Sequence, residues 1–318
     1  MFKKFNTTTL VIILIVLGAI LAVNKFFFSE KSESTFNDEF VKIDTGLVTQ
    51  VLIYPKAEKG KEIKITRQGR GWQLSNDKVK TVADSNQVRN LIKSFANLKS
   101  LALTGADKSS WKDLQVEDTS GSRIKIMTSD NKTYDMVVGK FGYNQQTRNG
   151  STNIRRANEE AVYAVEGFLS FTVNQPFNAW RNKLLISGNK DNWNTLTFTY
   201  PSDSSFVLSK QNNQWMVNGA PADSAKAAQY LNSIASLQSS NFVEQYTPSS
   251  IPAYTLSIQG NNQPAPITVV AYPADSTQKF ILHSSLNNDG WFSDMPGNTV
   301  QRLFVSSRNF ISAEGEKK

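Results

Sequence analysis

The sequence predicts an α+β fold, with a single N-terminal transmembrane helix followed by two duplicated α+β units whose sheets are mainly antiparallel. Three observations predict it. An unbroken apolar run, Leu10 to Val23, stands near the start of the chain. Beyond it, short segments of alternating polarity are interrupted by one amphipathic helix in each half. The helices and their flanking strands then recur in the same order, the signature of an internal repeat.

The anchor is justified first. Lys3 and Lys4 precede a polar step of Asn6-Thr7-Thr8-Thr9, and the apolar run ends in Phe26-Phe27-Phe28. Residues 7–28 therefore meet the roughly 20 residues needed to cross a hydrocarbon core. Asn24 and Lys25 interrupt the run at its outer end, where a lysine snorkels and phenylalanines anchor in the head-group zone. A cleaved signal peptide is the rival reading, because it shares the charged start and the apolar run. Ala22 is preceded two positions earlier by the bulky Ile20, so a small-x-small cleavage site is lacking, and retention is favoured. The two lysines then place residues 1–6 in the cytoplasm. The expected product is a single-pass protein of the inner (cytoplasmic) membrane with its bulk extracytoplasmic. Residues 29–39 read as a polar spacer, 40–180 and 181–313 as the two units, and 314–318 as a disordered tail.

In the first unit, Val48–Tyr54, Glu62–Gln68 and Gly71–Leu74 alternate as strands do. Asp84-Ser85 is an N-cap signal, and Val88, Leu91, Ile92, Phe95 and Leu98 continue at helical spacing to about Lys99. In the second unit Leu196–Tyr200, Phe206–Lys210 and a strand around Trp215 lead to Asp223-Ser224 and a helix to about Gln238. Residues 83–100 and 222–239 align without a gap, with seven identities in eighteen. Further strands are expected at 123–128, 133–139, 152–156 and 161–165, and again at 254–259, 267–271, 279–283 and 291–292. Short helices at 167–173 and 300–305 close the two units.

Composition narrows the chemistry. The chain of 318 residues has no cysteine and one histidine, which removes disulfides, thiolate metal sites and any site built on two imidazoles. The formal charge of +8 is concentrated before residue 176, where it is +7 against +1 after it. Basic residues there are scattered among acids without an aromatic or zinc module, so nucleic acid is not an expected partner. Anionic lipid or envelope polymer remains one reading of that charge, beside a plain solvated surface.

Phe40-Val41-Lys42-Ile43-Asp44, Ile63-Lys64-Ile65-Thr66, Gly71-Trp72-Gln73-Leu74, Val137-Val138-Gly139-Lys140, Asn153-Ile154-Arg155-Arg156 and Phe177 to Leu185 together carry a resemblance. The chain resembles a bacterial envelope family known only as a domain of unknown function. Members are often encoded beside auxiliary subunits of gliding-motility-type ABC transporters. The resemblance covers most of the chain from Phe40 onward and implies a non-enzymatic, transport-associated role. The second unit departs from it by being richer in Asn, Ser and Gln.

Candidate residues are few. His283 and Ser284 are strand neighbours and so point to opposite faces, which argues against a catalytic dyad. Asn287-Asn288-Asp289-Gly290 lacks the oxygen spacing and terminal glutamate of a calcium loop and reads as a hairpin turn. Asp130-Asn131 and Asn212-Asn213 also read as turns. Arg155 and Arg156, after a turn at Gly150-Ser151-Thr152, suit a planar anion or a structural pairing with Glu159 or Glu160. Phe171, Phe177, Trp180 and Arg181 form an aromatic-basic joint between the units, read as an interdomain seam or a partner-binding patch. No catalytic, cofactor or metal residue is assigned, since no phosphate loop, HExxH or GxSxG occurs.

The expected function is an anchored extracytoplasmic binding or scaffold protein, auxiliary to an ABC-type transport or gliding-related envelope complex. The candidate partner-binding residues are Arg155, Arg156, Phe177, Trp180 and Arg181. A glycan- or peptidoglycan-binding module is the alternative, and an envelope hydrolase ranks last.

Overall fold

Two aspartates start the two long helices. The Asp84 carboxylate accepts hydrogen bonds from the backbone N–H groups of Asn86 (2.9 Å) and Gln87 (3.1 Å), and that of Asp223 accepts from Ala225 (2.9 Å) and Lys226 (3.1 Å). Each satisfies two donors that a helix start leaves open. The chain, here in a computed structural model, is described over residues 39–144, 149–274, 280–295 and 297–312. Its helices are α1 (Ser85–Ala96), the single turns α2 (Trp111–Leu114) and α3 (Leu169–Val173), then α4 (Ser224–Ile234) and α5 (Thr299–Leu303).

The first ten strands are β1 (Glu39–Lys42), β2 (Val48–Tyr54), β3 (Ile63–Gln68), β4 (Gly71–Ser75), β5 (Lys80–Val82), β6 (Asn97–Gly105), β7 (Ser122–Thr128), β8 (Thr133–Asn144), β9 (Asn149–Arg156) and β10 (Val162–Glu166). They form one antiparallel sheet in the order β1-β6-β10-β9-β8-β7-β2-β3-β4-β5. The next ten are β11 (Leu184–Ser187), β12 (Trp193–Thr199), β13 (Phe206–Gln211), β14 (Gln214–Val217), β15 (Ala220–Pro221), β16 (Ser236–Gln238), β17 (Tyr254–Gly260), β18 (Ile267–Pro273), β19 (Phe280–Ser284) and β20 (Asn287–Ser293). Eight of them run β15-β14-β13-β12-β17-β18-β19-β20, and β11 pairs with β16. Strand for strand this is the order of the first sheet. It differs only where β16, shorter than β6, leaves a single bridge from Phe242 to Phe292 as the link to β20.

Alternation along the strands sorts each sheet into two faces. In the first, Val51, Ile53, Ile63, Ile65, Ile124 and Ile126 turn inward and are fully buried with Val88, Leu91, Ile92 and Phe95 of α1. In the second, Leu196, Phe198, Leu208, Leu256, Ile258 and Val269 do the same with Ala227, Tyr230, Leu231 and Ile234 of α4. Each such aliphatic or aromatic burial stabilises by about 1.5–3 kcal/mol.

The expected fold class is corrected by this architecture. Among the described residues strand accounts for 46% and helix for 21%, so the structure is mainly antiparallel β rather than α+β, with α1 and α4 the only helices longer than five residues among those described. The expected membrane helix, residues 7–28, lies outside the described residues, and among the described residues no helix is long and apolar enough to cross a membrane. Local expectations shift as well. The first helix stops at Ala96, because Leu98 and Ser100 turn inward from a strand, while Ile43 N–H donates to the Ala96 carbonyl (2.7 Å). Gly150-Ser151-Thr152 lies within β9 rather than in a turn. The last hairpin turns at Ser285-Leu286, and Asn287 to Gly290 belong to β20.

Candidate partner-binding site

Arg155 and Arg156 are neighbours in β9 and leave it on opposite faces. Arg155 is 1% exposed. Its guanidinium donates to the carbonyls of Val116 (2.8 Å) and Ala157 (3.0 Å) and to the Asp118 carboxylate (2.7 Å), and it lies on the Trp111 ring, 3.8 Å from the centroid. Burial pulls its pKa down, against the charge of Asp118. These contacts fasten the segment around α2 over the outer face of the sheet, where Trp111 and Leu114 pack on Val116, Val137 and Val162. Arg156 donates to both Glu159 carboxylate oxygens (3.0 Å each) and to the Phe40 carbonyl on β1 (2.7 Å).

Phe177, Trp180 and Arg181 lie at the junction of the two units, all under 7% exposed. The Phe177 N–H donates to Glu58 (2.8 Å), and the Trp180 ring belongs to the first core. Arg181 pairs with Glu244 and lies on Phe242, 3.7 Å from the ring centroid. The backbone here joins the units directly. Asp84 N–H donates to the Trp180 carbonyl (2.8 Å) and Asn182 N–H to the Val82 carbonyl (3.0 Å), while Asn182 and Asn287 exchange side-chain bonds with the second unit's Leu286 carbonyl and the Asn182 carbonyl. Phe171, by contrast, is 55% exposed and packs on Phe141. The surfaces of Arg155, Phe177, Trp180 and Arg181 are thus occupied from within the chain, whereas Arg156 opens onto a cleft.

That cleft has a volume of about 630 Å³ and lies between β1 and the ends of β7, β8 and β9. Glu39, Lys42, Arg123, Asp135, Arg156 and Asn158 give it polar walls of both charge signs, with Phe40 and Tyr134 as its apolar part. Arg123 grips Asp135 through two hydrogen bonds of 2.7 Å, and Lys125 approaches the same carboxylate at 3.4 Å. Burial alone would raise the Asp135 carboxyl, but the bonds and charge of Arg123, with Lys125, outweigh it and hold the pKa below its usual value. The hydrogen bond to Asp135 raises Arg123 in turn. Both groups stay charged at neutral pH, so the wall is a fixed pattern of charge.

Sequence reasoning missed Glu39, Lys42, Arg123 and Asp135. A signal existed for one of them: the Asp130-Asn131 turn fixes the hairpin register that sets Asp135 opposite Lys125. Among the described residues no group of three His, Cys, Asp or Glu side chains is placed to hold a metal.

The architecture and this geometry can be set beside known proteins. A family model matches residues 72–258, more than half of the chain and a stretch running from β4 through the junction to β17. The chain belongs to the family described as Domain of unknown function (DUF4340). No curated protein and no solved structure gives a significant match. The DUF4340 match includes α1, the seam around Trp180 and Arg181, and α4, and it stops short of β1 and of β18 to β20. The cleft residues Arg123, Asp135, Arg156 and Asn158 lie inside the DUF4340 region, while the wall formed by β1 lies before it.

Proposed function

We propose that this DUF4340 protein is a membrane-anchored, extracytoplasmic binding or scaffold protein without enzymatic activity, auxiliary to an ABC-type transport or gliding-related envelope complex. The cleft beside β1 is the place where it meets its partner. One observation carries this reading: the cleft wall is β1, the first strand after the apolar run and the polar spacer. The ten residues from Ser29 to Asp38 reach at most about 35 Å. A partner seated against β1 would therefore itself lie close to the membrane, as a transporter subunit does. The mixed charge of the wall favours a protein surface of matched pattern over a polymer of single sign.

In-cell crosslinking of the full-length protein, followed by detergent purification and mass spectrometry, tests it. The comparison variant combines Glu39→Lys with Lys42→Glu, which reverses the polarity of an exposed pair and leaves the core untouched. Enrichment of ABC-transporter subunits with the parent protein and their loss with the variant are expected. Recovery of the protein alone would overturn the reading.

A further inference from the structure

The matched strands of the two units place different chemistry on the outer face, the side away from the long helices. In the first sheet Arg123, Val137 and Arg155 stand in one row, with Lys125 opposite Asp135. In the second, Thr255, Val270 and His283 occupy the corresponding row, and Ser257 stands opposite Thr268. Every charged side chain of the first pattern is thus replaced by a hydroxyl residue or the imidazole. The cover differs too. In the first unit Arg155 binds the overlying segment through carbonyls, a carboxylate and the Trp111 ring. In the second, the overlying segment contributes Tyr246, which meets Trp291 with ring centroids 5.0 Å apart.

The result is an aromatic platform. Trp291 is packed by Tyr246, by Tyr272 (5.8 Å) and by the stacked imidazole of His283 (4.3 Å). His283 Nδ1 lies 2.9 Å from the Gly290 carbonyl, which only accepts, so the proton sits on Nδ1 and the ring is held in place. All four rings are half-buried, with part of each left to solvent. Beside them runs a groove of about 440 Å³ between the segment carrying Tyr246, Ser249 and Ser250 and the strand ends at Pro273 and Ile281. That volume falls within the roughly 300–1,000 Å³ of small-ligand sites. Ile281 is 2% exposed yet stands outside the second core, because it shares the outer face of β19 with His283, and it lines this groove.

We propose that this face of the second unit is a binding site for a neutral saccharide. Sugar rings present an apolar C–H face to aromatic rings and a perimeter of hydroxyls that both donate and accept. The face supplies both elements: the Tyr246 ring and the serine hydroxyls of Ser249 and Ser250 line the groove, and the Tyr272 and Trp291 rings pack beside Tyr246. Among the described residues no Asp, Glu, Lys or Arg lines the groove, so the described lining offers a charged ligand no counter-charge. An extended proline-rich peptide also seeks aromatic grooves, but its backbone offers chiefly carbonyls and calls for donors alone. The proposal stands apart from the transport-complex reading, which rests on the cleft of the first unit.

The test titrates full-length protein in nanodiscs with chitotetraose and, separately, maltotetraose, read by calorimetry and intrinsic tryptophan fluorescence. A proline-rich peptide forms a third arm. Saturable, salt-independent binding of a saccharide is expected, weakened about tenfold or more by Tyr272→Ala and by Tyr246→Ala and kept by Tyr272→Phe. The Glu39→Lys/Lys42→Glu variant should bind the sugar as the parent does, which separates this site from the cleft. Circular dichroism melting of each variant distinguishes lost binding from lost folding. The proposal is overturned if the folded protein binds neither saccharide, if binding survives both alanine variants, or if only the peptide binds.

Discussion

Arg155 and Trp111 are in face-on contact, the guanidinium carbon 3.8 Å from the ring centroid. One arginine thereby holds a segment that has no strand pairing of its own across the outer face of the first sheet. Replacing Arg155 by methionine keeps the apolar packing but removes the cation–π contact and leaves the buried Val116 carbonyl without its donor. A loss of about 2–4 kcal/mol is expected in urea unfolding. Arg155→Lys should restore only a minor part, since an ammonium cannot fork to Val116, Ala157 and Asp118 together. Asp118 is 71% exposed on its side chain, so Asp118→Asn should cost under about 1 kcal/mol. Equal effects from the two would show that the ion pair, not the stack and the carbonyl bonds, holds the segment.

The same segment explains a glycine in β8. A Cβ at Gly139 would stand 2.3 Å from the Leu114 carbonyl, well inside contact distance, whereas one at Gly142 on the same strand would meet only the Ser151 hydroxyl at 3.5 Å. Gly139→Ala must therefore push the segment away, at about 1–3 kcal/mol. Gly142→Ala should be close to neutral. Thermal unfolding of the two variants side by side measures the contrast, and a neutral Gly139→Ala would mean the segment is free to lift.

These contacts also mark how far the sequence could be read. Helix starts were legible because Asp84 and Asp223 are local caps whose partners lie two and three residues away. The end of α1 was not, since Leu98 follows Phe95 at a spacing that suits a helix and equally begins the inward alternation of β6. Arg155 and Arg156 drew attention as a pair, and the expected partner Glu159 does bind Arg156. The partners of Arg155, by contrast, come from Trp111 and Val116 to Asp118, about forty residues earlier, and no local pattern announces them. Trp180 and Arg181 were readable as a joint between halves, yet Glu244 and Phe242 lie some sixty residues on and meet Arg181 only through the fold. The α+β expectation weighted two conspicuous helices over strands such as β5, β11, β15 and β16, which are two to four residues long and too short to show a period.

The carboxylate in the cleft gives a pH dependence with a definite sign. Asp135 has its folded-state pKa depressed below the usual value of about 3.9. Its contribution is therefore fully present above that value and is lost as pH falls through the folded pKa. The parent protein should lose stability to urea as pH drops below about 4. Asp135→Asn should start less stable at neutral pH and show a shallower decline over the same window. Asp107 and Asp130, whose pKa values are also lowered by local hydrogen bonds, keep some slope in the variant. An unchanged slope would mean that the Arg123 and Lys125 contacts do not survive in solution.

The junction offers the last prediction. Arg181 is 2% exposed, pairs with Glu244 from the second unit and lies on Phe242, while its backbone neighbours Trp180 and Asn182 bond to Asp84, the N-cap of α1, and to Val82 of β5. It therefore ties the segment between the units to both of them. Arg181→Ala removes a buried cation together with its ring contact and leaves a void beside Phe242, at about 2–4 kcal/mol. Because that loss falls on the junction and not on either core, the units should uncouple, and calorimetry should resolve one melting transition into two. Glu244 is 47% exposed on its side chain, so Glu244→Gln should leave a single transition, lowered by under about 1 kcal/mol. A single transition in Arg181→Ala, merely shifted, would place the coupling in the backbone bonds of Asp84 and Asn182 instead.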